Sequence, residues 1–140
     1  MHVLAQVLCG VALVAALVLV VTASTLARSE GRRLATAAAA CGVESYLEVG
    51  GARLDTFNAT SPFVTLVATP QELVLCFMRH VHRFPVGEVR RLARYRGLFS
   101  TGLDIDHTVS SLPTWVIFWT ADFERTARAL ENFGWRITRS

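Results

Sequence analysis

The sequence predicts an α+β protein, mainly β, in which one N-terminal transmembrane helix precedes a single small domain. Three observations predict it. An uncharged apolar run of 25 residues, Val3–Ala27, opens the chain. Short β-type runs separated by turn residues fill positions 45–120. A segment with apolar residues at helical spacing, Asp122–Phe133, closes it.

The only polar side chains of the first run are Gln6 and a few hydroxyls; the rest is Val, Leu and Ala with Cys9 and Gly10. A bilayer span needs about 20 such residues, so this one is long enough to cross with some tilt. A soluble core helix would need a polar face, and the run has none. The alternative is a secretory signal cleaved near Ala37–Cys41, since Ala-x-Ala sites occur around Thr36–Ala40. Only Met1 and His2 precede the run, however, and its length exceeds a typical signal core. Ala38-Ala39-Ala40-Cys41 resembles a lipoprotein cleavage box but lies past the apolar core. Residues 1–27 therefore read as an uncleaved anchor.

Arg28, Arg32 and Arg33 follow the span, and no Arg or Lys precedes it. The positive-inside rule then places the C-terminal domain in the cytoplasm. Residues 28–43 read as a juxtamembrane spacer, although their helical propensity would also let them continue the anchor out of the bilayer, and residues 44–140 read as the soluble domain.

Within that domain, Tyr46–Val49, Gly50-Gly51 and Ala52–Phe57 read as a hairpin. Ser61-Pro62 breaks the chain before the run Val64–Ala68. Thr69–Glu72 is a turn and Leu73–Phe77 a further strand. Gly87–Arg96 fits either a helix or a bulged strand. Gly102–Asp106 alternates, with Leu103 and Ile105 on one face and Asp104 and Asp106 on the other. Trp115–Trp119 is an aromatic run that wants burial. The final helix carries Phe123, Ala127, Leu130 and Phe133 on one side, with Thr120 or Asp122 to cap it and Gly134 to stop it.

Counting the ambiguous segment as a strand gives about seven strands and one C-terminal helix. In this order, and in Asn58–Leu66, Gly102–His107, Val116–Trp119 and Ala129–Trp135, the domain resembles membrane-anchored bacterial pleckstrin-homology-like (PH-like) domains. The resemblance covers roughly residues 44–137. It implies a bent antiparallel barrel with one end plugged by the helix, and a protein- or lipid-binding role. It supplies no active site. A two-layer α+β sandwich is the alternative fold.

Composition narrows the function. The domain carries eleven arginines against ten acids, so the basic pI of about 9.1 does not point to nucleic acid. All fourteen basic residues are Arg, a usage expected of a GC-rich, bacterial coding sequence. Cys9, Cys41 and Cys76 show no Cys-x-x-Cys spacing and read as reduced thiols. Asn58-Ala59-Thr60 matches a glycosylation sequon, which carries no meaning in a bacterial cytosol.

A basic belt is the main candidate for contact with a partner or with anionic lipid. Arg79, Arg83, Arg90, Arg91, Arg94 and Arg96 meet only Glu88 between positions 79 and 96. Its bland counterpart is a strand edge protected by charge. His80 and His82 would share one strand face near Cys76, but nothing in the spacing makes three ligands converge, so no metal is expected. Asp104, Asp106 and His107 read as outward polar residues before they read as an acid–base pair. Trp115, Trp119 and Trp135 read as core before they read as a stacking platform. No catalytic residues and no cofactor are expected. The sequence thus suggests a non-enzymatic binding or scaffolding module, tethered to the bacterial inner membrane by one span. The alternative is a secreted or periplasmic small-ligand binder released by signal cleavage.

Overall fold

The computed structural model describes residues 2–139, with side chains from residue 8 onward. Helix α1 runs unbroken from His2 to Ala40, so the expected spacer continues the anchor as helix. It ends at Gly42, whose φ of +73° suits a residue without a Cβ. There the Val43 N–H donates to Ala38 O and the Gly42 N–H to Ala39 O, a Schellman closure.

The strands that follow are β1 (Tyr46–Leu54), β2 (Phe57–Ala68), β3 (Glu72–Phe77) and β4 (His80–Pro85). A 3₁₀ turn, Val86–Glu88, leads to β5 (Val89–Arg96), β6 (Thr101–His107) and β7 (Val116–Trp119). Helix α2 (Phe123–Asn132) and the two-residue β8 (Ile137–Thr138) complete the chain. All eight strands form one sheet, in the order β4-β3-β2-β1-β7-β6-β5-β8. Every pairing is antiparallel except that of β5 with β8. The sheet curls into a half-barrel, and the fold is α+β, mainly β.

The glycine pair does not make the expected hairpin turn. Gly50 and Gly51 lie inside β1, where the register with β2 shifts and β1 passes on to pair with β7. A Cβ on Gly51 would come within 2.5 Å of Ala59 O, and one on Gly50 would collide with Trp119 O. Glycine is needed there for close backbone approach at a bend. The turn falls instead at Asp55-Thr56, with Asp55 at φ +53°, a conformation that Asp tolerates better than most residues. Ser61-Pro62, expected to break the chain, lies within β2. Gly87–Arg96 resolves into the 3₁₀ turn and a strand, with a register shift between Val89 and Arg91.

Alternation along β2 and β3 explains their continuous apolar text. Val64, Leu66, Leu73 and Leu75 face the concave side and join the main core with Phe84, Leu103, Ile105 and Phe118. Helix α2 closes that core with Phe123, Ala127 and Leu130. Val67, Val74 and Cys76 face the convex side, where Leu34 of α1 and Leu47 pack on them. Val64–Ala68 of β2 and Leu73–Cys76 of β3 are thus buried on both faces, the condition that yields unbroken hydrophobic runs.

Candidate functional site

Helix α1 has two halves of different character. From Leu8 to Thr22 its side chains are exposed, although nearly all are apolar. From Ala23 on it docks, burying Ala23, Ser24, Ala27 and Gly31. Small residues permit the approach: a Cβ on Gly31 would lie 2.5 Å from Thr65 Cγ2. The helix is long and apolar enough to cross a membrane. Arg28, Arg32 and Arg33 lie on its exposed side.

The arginine belt does not converge. Arg83 pairs with Glu72 at 2.5 Å, Arg90 with Asp106 at 3.0 Å and Arg91 with Asp104 at 3.4 Å. Arg94 pairs with Glu124 at 3.2 Å and stacks over the Phe123 ring. Among the described residues, Arg79 and Arg96 alone of the six have no carboxylate partner. Arg79 lies in the turn between β3 and β4, beside Met78, which has φ +52°. Arg96 ends β5, at the base of the β5–β6 turn.

The remaining titratable candidates are held apart by strand alternation. Asp104 and Asp106 point outward to their arginines, while His107 points inward and is buried. His107 Nδ1 accepts the Val109 N–H at 3.1 Å, so Nε2 carries the proton and donates to Pro113 O at 2.8 Å. Its ring meets Phe84 edge-on. This histidine organises the β6–β7 loop. Burial raises the Asp104 pKa, against the Arg91 charge that lowers it.

His82 lies on the face of β4 that carries buried Phe84, whereas Cys76 belongs to the convex cluster. Burial pushes the Cys76 thiol up to about 11, so it stays protonated. Among the described residues, no group of three His, Cys, Asp or Glu side chains could hold a metal ion.

The three tryptophans divide. Trp135 is buried and donates from Nε1 to Thr69 O at 2.8 Å. Trp119 is half-buried, and Trp115 is exposed with the Arg53 guanidinium 4.2 Å from its ring.

Two features escape sequence reasoning. The first is Glu48, 5% exposed on the concave side of β1. Its Oε2 accepts from Tyr46 Oη at 2.7 Å and from Arg125 Nη2 at 2.6 Å; its Oε1 accepts from Thr120 Oγ1 at 3.1 Å. The network ties α2 to β1, and a lone Glu among strand residues gave no sign of it. The second is the β5–β6 turn, where Leu98 is 95% exposed and Phe99 wholly exposed. An apolar pair between Gly97 and Ser100 is visible in the text, but only the fold shows it uncovered. No family model matches the chain, and neither do curated proteins or solved structures.

Proposed function

We propose that this protein is a membrane-tethered, non-enzymatic binding or scaffolding module, anchored by α1 in a bacterial inner membrane with its domain in the cytoplasm. One observation carries the reading: a single helix is free and apolar in its first half and docked on the sheet in its second. Anchor and domain are thereby coupled without a flexible linker. A PH-like assignment is supported by the order β4-β3-β2-β1-β7-β6-β5 and by a C-terminal helix entering the core. Cytoplasmic placement rests on Arg28, Arg32 and Arg33.

The secreted or periplasmic alternative fares worse on packing. Cleavage near Ala37–Cys41 would remove Leu34 and Gly31 and bare Thr65, Val67, Val74 and Cys76. Reporter fusions after Ser140, one active only in the cytoplasm and one only in the periplasm, test the reading together with the mass of the mature N-terminus. An intact N-terminus with a cytoplasmic reporter signal is expected. A processed N-terminus near residue 40 would overturn the anchored module.

A further inference from the structure

We propose that the β5–β6 turn, through Leu98 and Phe99, inserts into the interfacial layer of the same bilayer that α1 crosses, with Arg79 and Arg96 at the level of the lipid phosphates. The inference rests on the membrane-spanning reading of α1 and adds an orientation and a lipid-contacting surface to it.

Length sets the height of the domain. Val3–Thr22, ahead of the first docked residue, is 20 residues. At about 1.5 Å per residue this is about 30 Å, the thickness of the hydrocarbon core. The helix therefore emerges into the headgroup layer where the domain begins, at Ala23 and Ser24. No break separates them, so the domain rests on the membrane surface.

Register sets which end faces down. Gly31 touches Thr65, and further along Ala37 and Ala38 share a groove with Val67 and Thr69. Helix α1 and β2 thus run in the same direction, and the membrane end is reached by going back along β2. Four residues back from Thr65 is Ser61, about 13 Å away at strand spacing. The helix covers that distance in about nine residues, which returns it to Thr22. Ser61 and Gly50 line one cleft with Leu98 and Phe99, so the β5–β6 tip lies near that height. On the neighbouring strand Cys76 faces Thr65. Met78 and Arg79 follow it in the same sense, and Met78 is itself exposed.

Chemistry then selects the occupant. Two adjacent, uncovered apolar side chains on a hairpin tip have the form of an interfacial anchor. The four belt arginines already matched to carboxylates lie on β4 and β5; the two unmatched ones flank the turns at this end. An apolar tip with one unmatched cation, Arg96, at its base and another, Arg79, on the β3–β4 turn complements a layer of acyl chains under phosphates.

The test uses the full chain with Cys9→Ser and Cys41→Ser, reconstituted in phosphatidylcholine–phosphatidylglycerol vesicles. A nitroxide is placed in turn at Phe99→Cys, Val14→Cys and Glu44→Cys, and its accessibility to oxygen and to a water-soluble nickel complex is measured. Phe99 is wholly exposed, so the label leaves the fold intact. Val14 reports the span, and Glu44 reports the water-facing end. The expected result is a Phe99 label several-fold less accessible to nickel than the Glu44 label, with the Val14 label deeper still. An aqueous Phe99 label beside a deep Val14 label overturns the insertion and leaves the anchor standing. An aqueous Val14 label overturns the spanning reading itself. Shielding of Phe99 in native membranes but not in lipid vesicles assigns the tip to a protein and overturns the lipid contact.

Discussion

The two helices end alike and pack by opposite means. In α2, as in α1, a glycine at positive φ closes the C-terminus: the Gly134 N–H donates to Glu131 O and the Trp135 N–H to Leu130 O. Helix α2 announces its packing in sequence, with Phe123, Ala127 and Leu130 on one face and charge on the other. Asp122 caps it by accepting the Arg125 N–H at 3.0 Å. Helix α1 announces nothing, because its first half is apolar almost throughout and its second half docks mainly through Ala, Ser and Gly, with Leu34 beside them. Large side chains advertise burial by contrast with polar ones, whereas small residues bury by letting backbones approach.

Truncating a large core residue and enlarging a small one should separate the two packing modes. Leu130→Ala removes a fully buried side chain from the main core and should cost about 2–5 kcal/mol, read as a lowered urea midpoint in detergent. Gly31→Leu should cost less, about 1–3 kcal/mol, because it overpacks an edge of the structure against Thr65. Its signature should be local: faster thiol labelling of Cys76 with the near-ultraviolet spectrum of the half-barrel retained. A global loss of that spectrum would mean that α1 docking and the half-barrel form one cooperative unit.

The link between α2 and the sheet gives the next effect. Glu48→Ala strips the shared acceptor from Tyr46, Thr120 and Arg125 and should cost about 1–3 kcal/mol. Hydrogen exchange should speed up in α2 before it does in β2 and β3. Uniform acceleration across all elements would deny Glu48 its role as the clamp.

The smallest expected effect is a pH slope. Burial, and then the neighbouring His80, holds the His82 pKa below the usual 6.5. Unfolding releases that restraint, so below 6.5 the unfolded chain binds more protons and stability declines as pH falls. The loss levels off once the pH is below the folded value. Urea midpoints at pH 8 and pH 5.5 should differ less in His82→Gln than in the parent chain; an unchanged difference would place the slope elsewhere.

Much of the architecture was legible. Alternation of Leu103 and Ile105 with Asp104 and Asp106 gave the faces of β6, and the Asp122-to-Gly134 signals gave α2. The Gly50-Gly51 hairpin was misread, because glycine marks close backbone approach as readily as a turn. The arginine belt was legible as composition but not as a surface: its partners Glu72, Asp104, Asp106 and Glu124 come from neighbouring strands and from α2.

By itself the sequence determined the apolar helix, the strand-rich domain and the amphipathic closing helix, since periodicity and turn chemistry are local properties of the chain. Only the tertiary structure decided that α1 docks without a linker, that Glu48 is clamped, and that Arg79 and Arg96, among the described residues, are the two belt arginines left without a carboxylate partner. Those outcomes depend on which distant residues meet, and charge pairing, burial and exposure are properties of that meeting rather than of any segment alone.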